Sequence, residues 1–411
     1  MPTLLLRNIS RLVQVHDQAA TVVKGQQMTH LPSLEDAYLL IDGEQISDYG
    51  RMADCPERAD TVIDAQGGMV FPSWCDSHTH IVYAEGREQE FVMRIQGKGY
   101  EEIAEAGGGI LNSARKLQAM PEEQLYESAL RRLHEVRGYG TGAIEIKSGY
   151  GLTTESELKM LRVIRRLKQT SRMDIKATFL GAHAVPLDYR DRPDAYVDLL
   201  IDEMLPRIAD EGLADYIDVF CDRGFFTPEQ TARILTAGAR RGLPAKIHAN
   251  ELDYSGGVQV GTAHNARSVD HLECVGSDEI AALLGSDTMP TLLPSTAFFL
   301  GLEYAPARAM IDAGLPVALA TDYNPGTTPS GKMSFVLSLA CLKMKMLPEE
   351  AINAATINSA YAMDVLDRLG SIERGKRANV FVTPPMSSVA YLPYAFGSQH
   401  VCTAIIAGQV V

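Results

Sequence analysis

His78 and His80 stand two residues apart in an apolar, strand-like run, and side chains at i and i+2 of a strand project to one face. Two imidazoles so placed can share one metal ion, although a His-x-His pair alone is a weak signal and is more often incidental. The signal strengthens with position, because His248 ends a fifth run of this kind and Asp322 an eighth. Three nitrogens and one carboxylate converging on one point suit zinc or iron(II). An ion held there brings the pKa of a bound water to roughly 7 and polarises a neighbouring carbonyl, which is the chemistry of hydrolysis. Proton carriers stand nearby. Glu251 follows His248 by three residues, where it can hydrogen-bond a ring nitrogen and move protons, and His271 ends the sixth run, where it can stabilise an oxyanion or act as base. The plainer alternatives are an exposed loop carboxylate and a structural histidine.

The elements that must position these groups can be read from the same pattern. Apolar runs ending near His80, Lys147, His183, Cys221, His248, His271, Leu293 and Asp322 alternate with helical patterns, the signature of parallel βα units. Eight such units predict an α/β protein, a (β/α)₈ barrel over residues 71–367, with the polar residues at the carboxyl ends of its strands, where barrels place their sites. Thr154 with Glu157, and Thr227-Pro228 with Gln230, are read as capping boxes that start two of the helices. Leu158, Leu161, Ile164 and Leu167 form the buried stripe of the first, with Lys159, Arg162 and Arg166 facing solvent. Strands are expected over Thr3 to Leu6, Arg11 to Val15, and Ala37 to Ile41 and Gln45 to Tyr49 around the hairpin signal Asp42-Gly43. Further strands fall over Ala378 to Thr383, Cys402 to Ala407 and Gln409 to Val411, so residues 1–70 and 368–411 are expected to join in one small β-sandwich domain.

Composition excludes several classes of function. A net charge of -14 argues against nucleic acid or anionic lipid as partner, since both call for clustered Lys and Arg, and leaves a small-molecule substrate. The six cysteines show no short pairing, which suits reduced, mostly buried thiols. The short apolar start is no signal peptide and no run approaches the roughly 20 apolar residues of a membrane span, so the expected compartment is the cytoplasm.

The segments His78-Thr-His80, Arg87-Glu-Gln-Glu-Phe91, Gly107-Gly-Gly-Ile110, Glu145-Ile-Lys-Ser-Gly-Tyr-Gly151, Gly181-Ala-His183, His248-Ala-Asn-Glu251, Asp270-His-Leu-Glu273 and Ala320-Thr-Asp-Tyr-Asn-Pro-Gly326 are similar, across nearly the whole chain, to the imidazolonepropionase family of amidohydrolases. The resemblance implies one zinc or iron ion (Fe2+ or Fe3+) per subunit, on His78, His80, His248 and Asp322. It makes Arg87, Tyr150, His183 and Glu251 contacts of the imidazolone substrate, and places Asn324, Gly326 and Thr327 against the carboxylates of the ring-opened product. The implied reaction hydrolyses the ring amide of 4-imidazolone-5-propanoate to N-formimidoyl-L-glutamate, with Glu251 or Asp322 passing a proton to the leaving nitrogen and His271 stabilising the oxyanion. A homodimer is expected. Relatives with two metals bridge them by a carboxylated lysine on the fourth strand, and Tyr216-Ile-Asp-Val-Phe-Cys-Asp222 has none. The chain departs from the family around Ser73, Glu85 and Ser295, which bears on pocket shape but removes no ligand. The glycine run Gly107 to Gly109 permits a moving lid. The alternative within enzymes is a deaminase of an aminated heterocycle, which shares the ligand pattern; outside enzymes it is a non-catalytic barrel or a metal store, which would not need Glu251 and His271.

Overall fold

The computed structural model describes residues 2–98, 102 and 108–411, so Gly107 of the glycine run, and with it the lid expectation, falls partly outside the described residues. The chain begins with β1 (Thr3–Val13), β2 (Ser33–Asp42), β3 (Gln45–Arg51), β4 (Thr61–Asp64) and β5 (Met69–Pro72). β2 and β3 form the hairpin signalled by Asp42-Gly43, with Asp42 opposite Gln45 and a φ of +61° at Gly43 that suits glycine. The two strands expected over Thr3 to Leu6 and Arg11 to Val15 are a single strand. Its register against β2 shifts between Leu6 and Ile9, and Asn8 takes a φ of +56°, so a bulge absorbs the irregularity without ending the strand.

Eight strands then follow in parallel, each beside its predecessor: β6 (Trp74–Thr79), β7 (Thr141–Lys147), β8 (Asp174–Ala182), β9 (Tyr216–Cys221), β10 (Ala245–Ala249), β11 (Ser268–His271), β12 (Met289–Leu292) and β13 (Ala318–Leu319). β13 is shorter than the Leu319 to Asp322 run predicts, because Asp322 leaves the extended region with a φ of +54°. The chain beyond it nevertheless runs along β6 and closes the barrel: Asp322 N donates to His78 O at 3.0 Å and His80 N to Tyr323 O at 2.9 Å.

Helices cover the outside of the barrel. In Thr154–Thr170 the predicted stripe of Leu158, Leu161, Ile164 and Leu167 is fully buried, but the cap differs from expectation. Thr153 is the N-cap, accepting from Ser156 N, while Glu157 turns away from the helix start to take amides of the preceding loop. Lys159, expected in solvent, is half-buried and donates to the carbonyls of Leu117, Gln118 and Met120 at the end of the neighbouring helix. The box at Thr227 and Gln230 forms as read, with Pro228 in the first turn.

The chain returns as β14 (Val380–Val382), β15 (Thr403–Ile406) and β16 (Gln409–Val410), giving a mixed sheet in the order β16-β15-β14-β5-β1-β2-β3 with β4 beside β1. Strand alternation divides two cores at this junction. Val70, Val380 and Val382 join Leu6, Ile9, Leu12 and Ile405 inside the terminal sheet, whereas Phe71 and Phe381 point to the barrel and pack with Trp74. No disulfide links the cysteines. Only Cys75 and Cys221 are buried, fewer than the composition suggested. Among the described residues no helix is long and apolar enough to cross a membrane.

Candidate metal and active site

Barrel closure is what assembles the donors. By pairing with the end of β6, the chain after β13 sets Asp322 beside the two histidines: Oδ1 lies 3.5 Å from His78 Nε2 and 3.5 Å from His80 Nε2, and the two Nε2 atoms are 3.2 Å apart. Ligands bound to one zinc at about 2.0–2.1 Å in a tetrahedron are about 3.3–3.4 Å from each other, so these three separations fit edges of such a site. Thr296 donates to Asp322 Oδ2 at 2.6 Å, leaving Oδ1 for the shared point. His78, His248 and His271 form a second cluster of donor atoms around the same histidine. His248 Nε2 is buried without a hydrogen-bond partner, as expected of a nitrogen whose partner is a metal.

The far side of two rings is fixed by carboxylates. Asp270 accepts from His78 Nδ1 at 2.6 Å, and Asp218 from His248 Nδ1 at 3.1 to 3.2 Å, which leaves both Nε2 lone pairs bare toward the site. Behind them lies a charged layer in the barrel interior. Lys147 Nζ is 2.7 Å from Asp218, 2.6 Å from Glu145 and 3.6 Å from Asp270; Lys246 pairs with Glu145 from the other side. Burial would lower the pKa of Lys147, but Asp218 and Glu145 outweigh it and hold it above the ordinary value. Burial likewise pushes Asp218 upward, and His248 and Lys147 reverse this to well below the usual carboxylate range. Asp270, farther from Lys147, stays raised by burial.

Glu251 and His271 face each other at 3.6 Å, with Glu273 at 3.8 Å from the same ring nitrogen. Burial raises Glu251, against the pull of His271. The same burial would lower His271, yet the two glutamates prevail and its pKa is raised. Glu251 is placed by Asp222, which accepts from the backbone N–H of both Glu251 and Leu252 at 2.9 Å. His271 and Asp322 both hold left-handed backbone, φ +86° and +54°, a strain of about 1–3 kcal/mol each that the surrounding contacts must sustain.

The remaining predicted residues line the same mouth. The His183 ring stacks on His80 at 5.3 Å and lies 5.3 Å from Tyr150; its Nδ1 faces Gly149 O at 3.1 Å, and burial depresses its pKa to about 3. Burial also pushes the Tyr150 phenol up, keeping it a donor. The loop between these groups is gathered by Glu157, whose carboxylate accepts from Gly149, Gly151 and Leu152 N–H at 3.1, 2.7 and 2.9 Å. Arg87 is paired with Glu90 at 2.8 Å and lies flat against Gly326, where even a methyl group would strike the guanidinium. Asn324 Oδ1 accepts from Gly326 N and Thr327 N, both at 2.8 Å, so in this state those two donors serve their own turn.

Sequence reading passed over Asp218, Asp270, Lys147, Glu145, Lys246 and Glu273. For all but Glu273, which lies beyond the end of β11, the available signal was a charged residue inside an otherwise apolar strand, repeated on β7, β9, β10 and β11.

A family model described as the amidohydrolase family matches residues 69–411. Curated chains described as imidazolonepropionase match over nearly their whole lengths. That of Christiangramia forsetii is 54% identical over 410 residues, covering 100% of both chains. That of Flavobacterium johnsoniae is 55% identical and covers 99% of both, and that of Geobacillus kaustophilus is 43% identical, covering 100% of this chain and 98% of its own. Among solved structures, E. coli guanine deaminase superposes with a TM-score of 0.76 at 15% identity, covering 100% of this chain and 99% of its own. A triazine hydrolase variant gives 0.75 at 18% identity, covering 99% and 94%. At such identities these two share the fold.

Proposed function

We propose, from the premise that the chain belongs to the amidohydrolase family and within it to the imidazolonepropionases, that it hydrolyses the ring amide of 4-imidazolone-5-propanoate to N-formimidoyl-L-glutamate in histidine degradation. The observation that carries the reading is the triangle of His78, His80 and Asp322 donors at 3.2 to 3.5 Å, with Glu251 and His271 beside it. One zinc or iron ion per subunit, held by His78, His80, His248 and Asp322, would supply an activated water and a polarised carbonyl.

The protein groups divide the remaining work. Arg87 offers its planar fork to the propanoate carboxylate, exchanging part of its pairing with Glu90. Tyr150 and His183 hold the ring in register with the donors. Glu251, its carboxyl raised toward neutrality by burial, accepts the proton of the attacking water and returns it to the leaving ring nitrogen, with Asp322 the other candidate for that return. His271, kept cationic by Glu251 and Glu273, donates to the oxygen that gains charge as the carbonyl carbon becomes tetrahedral. For Asn324, Gly326 and Thr327 to meet the product's carboxylates, the Asn324 side chain turns aside and frees two backbone donors. In this reading the barrel comprises residues 71–367, and 1–70 with 368–411 form the smaller domain.

Absorbance loss of freshly generated 4-imidazolone-5-propanoate tests the proposal. Loss that yields formimidoylglutamate and stops on metal chelation is expected. No loss with metal-replete protein, together with ammonia release from an aminated heterocycle, would move the reading to a deaminase.

A further inference from the structure

We infer that Lys147 is a positioning residue for the metal centre: its single ammonium group ties together the two carboxylates that orient His248 and His78. Lys147, Asp218 and Asp270 come from β7, β9 and β11, alternate strands of the barrel, and so occupy one interior layer. Such layers are ordinarily filled by branched apolar residues. Here the layer directly beneath the histidines is ionic, and every member is fully buried.

The connectivity is specific. Asp218 takes Lys147 Nζ on Oδ2 at 2.7 Å, while its Oδ1 accepts from His248 N at 3.2 Å and lies 3.2 Å from His248 Nδ1. Asp270 uses Oδ2 for His78 Nδ1 at 2.6 Å and for Lys147 at 3.6 Å, and its Oδ1 has no hydrogen-bond partner. Lys147 is therefore the group the two carboxylates share. Glu145, at 2.6 Å, holds the lysine from below and is itself held by Thr178 and Lys246. Without the ammonium, Asp218 and Asp270 keep only their hydrogen bonds to His248 and His78 and repel each other across a buried interior, so the aim of both imidazoles loosens. This role rests on the ligand assignment proposed above. Carboxylates that directly orient ligating histidines change metal affinity by about 10–100-fold when replaced. Lys147 acts on two of them at once.

The test is zinc affinity of the metal-stripped full chain, read by competition with a chromophoric chelator, for wild type, Lys147→Met and His248→Ala, with the fold checked by circular dichroism. Lys147→Met is expected to bind zinc about 10-fold or more weaker while folded. If that variant fails to fold, Glu145→Gln with Lys147→Met removes one charge of each sign and is expected to show the same loss. Unchanged affinity in whichever of these is folded, while His248→Ala loses zinc, overturns the role of Lys147 alone. Zinc retained by His248→Ala overturns the ligand assignment, and the inference with it.

Discussion

In the proposed reaction Glu251 carries the proton, and burial has raised this carboxyl group, which faces His271 at 3.6 Å. A base must be ionised to accept a proton, so turnover falls as pH drops through the raised pKa. That acid limb therefore lies nearer neutrality than the ~4.3 of a free glutamate. Glu251→Gln is expected to lower kcat about 100-fold or more, to keep its zinc, and to lose the acid limb from the pH–rate profile. Steady-state kinetics with metal analysis checks it, and near-normal kcat would remove Glu251 from the proton path. That His78, His80, His248, Asp322 and Glu251 gather at one mouth was legible because their types are rare at strand ends. Asp218, Asp270 and Lys147 were not, since a charged residue alternating with apolar ones normally marks a solvated face. Only barrel closure reveals that the alternate face is an ionic interior.

Among the elements, the loop from Ser148 to Leu152 shows how secondary structure and site compete for one side chain. Thr154 and Glu157 have the spacing of a capping box, yet Thr153 caps the helix and Glu157 is drawn to three loop amides. Spacing alone could not separate two adjacent threonines. What decides between them is a tertiary demand: buried amides without partners cost about 1–3 kcal/mol each. The loop they belong to presents Tyr150 and sets Gly149 O against His183. Glu157→Ala is accordingly expected to lower stability by about 3 kcal/mol or more. Glu157→Gln keeps an acceptor for Gly151 and Leu152 but turns an NH2 toward Gly149 N. The expected outcome is a milder loss of stability with KM raised, kcat less affected and zinc content unchanged. Denaturant melting and kinetics on both variants check this. Equal KM in wild type and Glu157→Gln would leave Glu157 a purely structural anchor.

At the scale of the molecule, the eight βα units and the joining of the two chain ends were visible in the sequence, but the packing of the terminal sheet against the barrel was not. Phe71, Trp74 and Phe381 meet although Phe381 lies some three hundred residues along the chain, and no periodicity within either segment announces the contact. The Phe381 ring stacks on Phe71 at 5.3 Å and meets Trp74 at 4.9 Å, all three fully buried. Trp74 also begins β6, the strand whose far end carries His78, so the sheet joining the two chain ends braces the strand that bears the first proposed metal donor. Removing the Phe381 ring opens a cavity at that brace, which costs about 3–5 kcal/mol for a buried aromatic. Trp74 is the sole tryptophan of the chain, so its fluorescence reports this junction without labelling. For Phe381→Ala, the denaturant midpoint read by Trp74 is expected to fall, and zinc release to fall with it, while kcat in the absence of denaturant is unchanged because no atom at the mouth has moved. Zinc release that keeps the wild-type midpoint while the fluorescence transition shifts would mean that β6 holds its donors without the terminal sheet, and that the two cores are energetically independent.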